Sequence, residues 1–200
     1  MLALTKALKA AEQGGPLAQF HVGYCYRYGE PAIRDTTEAA KWYRKAAEQN
    51  DSGAQVSLGE LYSEGDGVVK DKVEAVKWFR RAAEQGDYAG QYFLGLCYFN
   101  GEGVTQDKAE AVKWLHKAAA YSVKEAQILL ARCYFNGEGV NKDFVEAYKW
   151  INIVLHSCAS DEAIALYLQL REQMTDAQIV EAEAREKKWQ EEFERLLSRQ

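Results

Sequence analysis

Four cysteines are the side chains of this sequence best suited to nucleophilic or redox chemistry. Three of them fall at the same position of a 36-residue period, namely Cys25, Cys97 and Cys133. The remaining copy of that position is Leu61. A position that alternates between cysteine and leucine predicts a small buried hydrophobic side chain. Neighbouring copies should lie about 8–10 Å apart, farther than a disulfide allows. Cys158 has no equivalent in the other repeats, so we expect free thiols.

Histidine and carboxylate groups are the other candidates for chemistry. The histidines are scattered, without the spacing of a zinc site; they are His21, His116 and His156. Carboxylates recur as Asp-x-x-Glu, at Asp35/Glu38, Asp71/Glu74, Asp107/Glu110 and Asp143/Glu146. This spacing predicts helix N-caps, in which Asp accepts from early helical N–H groups and Glu reaches back to the cap, worth about 1 kcal/mol each. We therefore expect no catalytic residue, no metal and no cofactor.

Several residue types share one repeat of 36 residues. Tryptophan recurs at 42, 78, 114 and 150, tyrosine at 26, 62, 98 and 134, glutamine at 19, 55, 91 and 127, and a Gly-x-Gly-Val turn at 65, 101 and 137. The period predicts four repeats, residues 15–50, 51–86, 87–122 and 123–158. Each repeat reads as helix A (about Ser52 to Glu64 in the second) and helix B (about Lys72 to Gln85). Gly23, Gly59 and Gly95 lie inside helix A and predict close helix contact.

The pattern Ala-x-x-x-Leu-Gly-x-x-Tyr-x-x-Gly-x-Gly-Val-x-x-Asp-x-x-x-Ala-x-x-Trp-Phe-x-x-Ala-Ala-x-x-Gly, read from Ala54 to Gly86, resembles the Sel1-like repeat, a relative of the tetratricopeptide repeat with a longer loop. The resemblance implies an all-α fold, a right-handed α/α superhelical solenoid. The first repeat departs from the pattern, because residues 29–33 replace the Gly-x-Gly-Val turn.

The two ends are expected to complete one continuous domain. Residues 1–14 match a helix B and predict a half repeat or an N-terminal cap. Residues 159–200 predict capping helices: a first helix that covers the apolar last helix B through Ile164, Leu166, Leu168 and Leu170, and a second that begins with a Thr175/Gln178 capping box. The second helix could instead mediate a homodimer or bind a partner through Trp189, Phe193, Leu196 and Leu197.

Charge and hydropathy exclude two kinds of partner. The net charge is −5 and no basic stripe is present, which argues against nucleic acid. No run of 18 apolar residues exists, which argues against membrane insertion. We expect a cytoplasmic protein, or a periplasmic one if a signal peptide was removed.

The positions of helix A that vary between repeats are the candidate binding site. By its resemblance to tetratricopeptide-like solenoids, helix A lines the concave side, and aromatic and Arg residues are enriched in binding hot spots. The candidate partner-binding residues are His21, Tyr24, Arg27, Tyr28, Glu60, Phe93, Leu96, Phe99, Asn100, Leu129 and Arg132. Phe99 and Phe135 could instead pack internally. Helix B repeats a lysine, at 41, 77, 113 and 149, which predicts a solvated convex face.

These observations favour a non-catalytic scaffold or adaptor that binds a protein or peptide on the concave helix-A face. An alternative is a β-lactam hydrolase or penicillin-binding protein, an activity attributed to a cysteine-rich Sel1-like group with two bridged cysteines per repeat. Helix B here lacks the matching cysteine, and Ser-x-x-Lys and Lys-Thr-Gly motifs are absent from the sequence. A third interpretation is an immunity-type protein that binds a toxin.

Overall fold

The computed structural model describes residues 2–29, 34–157 and 160–198. Over these ranges the chain forms eleven α-helices and no strand, as the all-α prediction requires. The helices are α1 (Leu2–Glu12), α2 (Pro16–Tyr28), α3 (Thr36–Glu48), α4 (Ser52–Glu64), α5 (Lys72–Glu84), α6 (Tyr88–Asn100), α7 (Lys108–Ala120), α8 (Lys124–Asn136), α9 (Phe144–Ser157), α10 (Asp161–Gln173) and α11 (Asp176–Leu197). They cluster into two compact units, Met1–Gln106 with α1–α6 and Asp107–Gln200 with α7–α11.

The four repeated aspartates cap the B helices, but only half of the predicted capping box forms. Each Asp accepts the N–H of the Glu three residues later at 2.9–3.0 Å. The Glu side chains do not reach back; those of Glu38, Glu74 and Glu110 bond a lysine one turn further on. The prediction was wrong there because the cap N–H already has an acceptor: Asp71 N–H donates to the Tyr62 carbonyl at 2.9 Å.

The Gly-x-Gly turn after α4 forms as predicted. Gly65 and Gly67 have φ of 78° and 73°, a region that glycine enters without a steric penalty. A Cβ on Gly67 would also lie 2.3 Å from the Thr36 carbonyl, since the turn rests on the first residue of α3. In the first repeat the corresponding turn falls largely on residues 30–33, outside the described ranges.

Two helical glycines of unit 1 make room for aromatic rings, as the sequence predicts. A Cβ on Gly23 would lie 2.7 Å from the Tyr43 ring, and one on Gly59 would lie 2.5 Å from the Phe79 ring. Both rings are buried. Buried glutamines tie the helices further: Gln55 Nε2 donates to the Ala47 carbonyl at 3.1 Å, and Gln127 Nε2 donates to the Ala119 carbonyl at 3.0 Å.

Unit 2 ends in two helices that cover α9. Leu166 and Leu170 of α10 are buried as predicted, whereas Ile164 and Leu168 are exposed, because α10 presents only one stripe to its neighbours. The capping box that opens α11 is confirmed: Thr175 N–H donates to Gln178 Oε1 at 2.9 Å, and Gln178 N–H donates to Thr175 Oγ1 at 3.4 Å.

The solvated lysine face is confirmed in three B helices and wrong in the fourth. Lys41, Lys77 and Lys113 have 62%, 62% and 70% of their side chains exposed. Lys149 of α9 is buried, bonded to Glu146 and set over the Trp150 ring at 4.2 Å. Arg185 of α11 in turn pairs with Glu146 at 3.3 Å, so the cap helix encloses this ion pair.

Candidate functional site

An exposed apolar and aromatic stripe runs along α2 in unit 1. Leu17, His21, Tyr24 and Tyr28 are all exposed, and their spacing of four, three and four residues places them on one helix face. The two tyrosine rings lie 4.4 Å apart. The stripe spans about 16 Å at the rise of an α-helix. We call these four residues the α2 ridge. Leu17 was missed in the sequence, although it stands one turn before His21 on the same face.

An ion pair joins α2 to α4. Arg27 bonds Glu60 at 2.7 Å and lies 3.9 Å from Glu64. Burial is the largest single influence on the pKa of Arg27 and lowers it, but the hydrogen bond that Arg27 donates to Glu60 and the attraction of nearby negative groups together outweigh burial, so the pKa is raised. Arg27 is 12% exposed and Glu60 27%, so these two candidates position the helices, while Glu64, at 58%, presents its carboxylate to solvent.

The third helix A of unit 1, α6, contributes half-buried apolar side chains. Phe93 stacks on Phe79 with centroids 4.9 Å apart and planes 15° apart. Leu96 and Phe99 are half-buried and Asn100 is exposed. Of the candidates on α6, Asn100 is therefore the most accessible and Phe93 is chiefly a packing residue.

In unit 2 a groove lies between α8 and α10, and of the two candidate residues there Arg132 lines it. Leu129 is buried, whereas Arg132 is exposed and pairs with Glu162 at 3.2 Å. Phe135 packs on Phe144 with ring centroids 5.6 Å apart, so this ring makes the internal packing contact that was one of the two alternatives for it. The groove has a volume of about 230 Å³; its lining includes Arg132, Phe135, Asn136, Glu162, Ala165 and Gln169. The α10 residues were missed, although α10 begins where the 36-residue period places a further helix A.

The thiols and histidines are in structural environments. Burial raises the pKa of Cys97 to about 11 and that of Cys133 to about 12, so neither is a thiolate at neutral pH. Cys25, Cys97 and Cys133 are free, and Cys158 lies outside the described residues. His116 Nε2 lies 2.8 Å from the Tyr134 hydroxyl, and His156 Nδ1 lies 2.8 Å from Glu186. In the described ranges, no three His, Cys, Asp or Glu residues are arranged to hold a metal ion.

None of the described helices combines the length and apolar character needed to span a bilayer.

The repeat geometry agrees with the comparison against known families. A model described as the Sel1 repeat matches residues 16–51, 52–87, 89–120 and 124–152. The chain belongs to the Sel1 repeat family. Sel1 repeat proteins are generally non-catalytic helical repeats and commonly act as scaffolds for protein–protein interaction. No curated protein sequence matches the chain.

Solved structures share this fold. A Sel1 repeat protein from Oxalobacter formigenes is 41% identical with a TM-score of 0.74, covering 78% of this chain and 62% of its own. The protein c5321, a protective antigen present in uropathogenic Escherichia coli strains, is 28% identical with a TM-score of 0.62, covering 95% of this chain and 48% of its own. The chain thus spans about half to two thirds of these relatives. The predicted class, an all-α solenoid of Sel1-like repeats, is confirmed.

A Pseudomonas aeruginosa immunity protein, Pa5087, matches with 18% identity and a TM-score of 0.51, covering 84% of this chain and 73% of its own. At this identity the match shows a common fold alone.

Proposed function

We propose that this Sel1 repeat protein is an adaptor that binds a protein segment on its helix-A faces, with the α2 ridge as the principal contact. The observation that carries the proposal is the exposure of Leu17, Tyr24 and Tyr28, at 62%, 48% and 54%, on one face of a helix that is otherwise well packed. Scattered exposed apolar residues are ordinary, but a contiguous patch of them marks an interaction surface.

The chemistry of the ridge suits a helical or extended protein partner. Tyrosine offers a large, rigid contact area with a polar end and loses little conformational entropy when it is bound. The exposed Glu64 carboxylate lies near Arg27 at one edge and would favour a partner with a basic residue there. The groove beside Arg132 in unit 2 is the second contact that we propose.

Quantitative affinity purification from the source organism tests this proposal. The wild-type chain, a Tyr24→Ala/Arg132→Ala variant and a Tyr121→Ala control are compared by mass spectrometry. Tyr121 is 54% exposed and follows the last residue of α7, outside helix A. We expect a protein enriched by the wild type and the control to be depleted by the double variant, with little change in melting temperature. Equal recovery by all three proteins would refute the proposal.

A further inference from the structure

In unit 2, α10 is a helix A that lacks a helix B of its own among the described residues. It begins where the 36-residue period places a fifth helix A, but the next helix, α11, lies along α9 instead. Ile164 and Leu168 are consequently 39% and 55% exposed. The residue equivalent to Ile164 in the first repeat is Phe20, whose ring lies 5.7 Å from Tyr43 on its own helix B. The open face of α10 is therefore a face that a helix B covers elsewhere.

In unit 1, α1 is a helix B with an open face. It packs on α2 as a helix B packs on the following helix A, because Gln19 Nε2 donates to the Ala11 carbonyl at 3.1 Å, as Gln55 does to Ala47. In contrast to α3, which lies between α2 and α4, α1 has a helix A on one side only in the described chain. Ala10 is consequently exposed. The alanines equivalent to it in the next three repeats are fully buried; they are Ala46, Ala82 and Ala118.

The open face of α1 continues onto α2 at Leu17, which is 62% exposed. The equivalent residue of the second repeat, Gly53, lies against the preceding helix A, since a Cβ there would lie 3.4 Å from the Phe20 ring. Leu17 therefore faces the space that a preceding helix A would fill. The pair α1 and α2 offers a place for one helix A, and α10 offers a place for one helix B.

We propose that α10 of one molecule docks on α1 and α2 of a second copy of this chain, so that α10 and α1 together form one complete repeat. In the register of the repeat, Ile164 then lies against Leu17 of the second molecule, as Phe20 lies against Gly53 within one chain. The contact joins two different surfaces, so it links molecules head to tail. Because Leu17 belongs to the α2 ridge, the inference rests on the proposed function to the extent that it names an occupant for that end of the ridge.

The sizes of the matched side chains are complementary. In the first repeat a small residue of helix A meets a ring of helix B, since a Cβ on Gly23 would lie 2.7 Å from Tyr43. The residues at these two positions of α10 and α1 are Tyr167 and Ala7, so here helix A carries the ring and helix B the small residue. Both side chains are half-buried and accessible in part. One large and one small side chain fill similar space whichever helix carries the large one.

The polar residues at the edge of the contact are compatible as well. Within unit 1, Arg27 reaches from α2 to Glu60 on the next helix A. The same step takes Arg171 of α10, which is exposed, to Tyr24 of the second molecule. A guanidinium group is attracted to the face of an aromatic ring. A second copy is favoured over an unrelated partner, because the two halves of one repeat are both open in the same chain and match in register.

Sedimentation velocity of the 200-residue chain over a range of concentrations tests this inference. We expect the wild type to self-associate as its concentration rises. Ile164→Glu and Ala10→Glu each place an unpaired carboxylate in the apolar contact and should weaken self-association about tenfold or more. The matched control is Val180→Glu on α11, at a side chain that is 64% exposed. It makes the same change in net charge and should associate like the wild type.

Mixing the two variants distinguishes a head-to-tail contact from a symmetric one. Ile164→Glu keeps the open face of α1 and α2, whereas Ala10→Glu keeps the open face of α10. An equimolar mixture should therefore form a complex with one molecule of each, which neither variant forms alone. Ile164→Ser replaces Ile164→Glu if the melting temperature of the Glu variant falls. A wild type that stays monomeric, variants that associate like the wild type, or a mixture that stays monomeric would each overturn the inference.

Failure of this inference is distinguishable from failure of the proposed function. Ala10 and Ile164 lie outside the α2 ridge, and neither lines the groove beside Arg132. A monomeric chain that still captures a protein through Tyr24 would overturn the head-to-tail contact alone. A mixed complex of the two variants, without any protein captured through Tyr24, would support the contact and overturn only the binding of a separate partner.

Discussion

At the scale of single residues, the contact between helix A and helix B in unit 1 depends on the missing side chain of Gly59. The nearest atom of Phe79 would lie only 2.5 Å from a Cβ at this position. A closely packed core accommodates such an atom only by displacing the ring or the backbone.

We predict that Gly59→Ala lowers the free energy of unfolding by about 1–2 kcal/mol, because the overpacking cost exceeds the gain in helix propensity. Gly53→Ala in the same helix is the control. Its Cβ would lie 3.4 Å from Phe20, in nearly ordinary contact, so this variant should be neutral or slightly stabilised. Urea unfolding followed by circular dichroism compares the two, and equal stability of both variants would contradict the prediction.

His116 makes the stability of unit 2 depend on pH. Burial lowers its pKa below the ordinary 6.5, so the folded state binds fewer protons than the unfolded state as the pH falls through that value. Stability is then fully present above pH 6.5 and decreases as the pH falls toward the folded-state pKa. Arg44 and Arg80 occupy the equivalent positions and bond Tyr62 and Tyr98.

We therefore predict that His116→Arg keeps a bond to Tyr134 and loses less stability between pH 7.5 and 5.5 than the wild type. Urea unfolding at the two pH values measures this difference. His21 and His156 are present in both proteins, so the comparison isolates the change at residue 116. An identical loss in the variant and the wild type would show that His116 does not titrate in the folded protein as described.

Residue types that repeat were predictable, whereas their exact partners were not. Asp71 had to cap a helix wherever the helix lay, because its position relative to Glu74 is fixed by local spacing. Whether the Glu74 side chain would bond the Asp71 N–H depended on the Tyr62 carbonyl, which accepts that N–H instead. Tyr62 belongs to the preceding helix, and only the turn brings its carbonyl close to Asp71. The hydrogen-bond partner of Gln55 is likewise a backbone carbonyl, that of Ala47, and the spacing of residues in the sequence could not predict it.

At the scale of helices, α11 gives the last B helix, α9, a hydrogen-bond partner that the following repeat gives to the other B helices. In the B helices α3, α5 and α7, the residue at the Arg44 position bonds a tyrosine hydroxyl of the next helix A. In α9 the residue at the Arg44 position is Asn152, and the residue at the matching tyrosine position is Leu170, which has no hydroxyl group. Glu186 of α11 bonds Asn152 instead. The sequence predicted this capping helix, but it could not show that its contacts would be made chiefly with α9.

We predict that Trp189→Ala destabilises the packing of α11 by about 2 kcal/mol, below the 3–5 kcal/mol typical of a fully buried aromatic residue because Trp189 is half-buried. Lys188→Ala, which truncates the exposed neighbouring side chain, should change stability by no more than about 0.5 kcal/mol. Chemical denaturation of the two variants gives the comparison. A loss for Lys188→Ala as large as that for Trp189→Ala would contradict the packing described.

At the scale of the whole molecule, the repeat divides the helices between framework and surface. Aspartate caps recur on all four B helices and the Gly-x-Gly turn recurs in the last three repeats, whereas a ring packs on a helical glycine in the first two. The exposed side chains of helix A differ from repeat to repeat, and that variation marks them as candidates in the sequence alone. Their exposure was not predictable: Tyr24 is accessible, but Leu129 at a candidate position is buried. Packing against neighbouring helices decides that difference.

The most direct test of the account is the dissociation constant for the partner recovered by affinity purification, measured by isothermal titration calorimetry. Tyr24→Ala/Tyr28→Ala removes the two exposed rings of the α2 ridge, and Tyr121→Ala removes a comparably exposed ring elsewhere. We predict that the double variant raises Kd about tenfold or more, as loss of aromatic hot-spot residues does, while Tyr121→Ala leaves it unchanged. An unchanged Kd for Tyr24→Ala/Tyr28→Ala would contradict the assignment of the helix-A face as the binding surface.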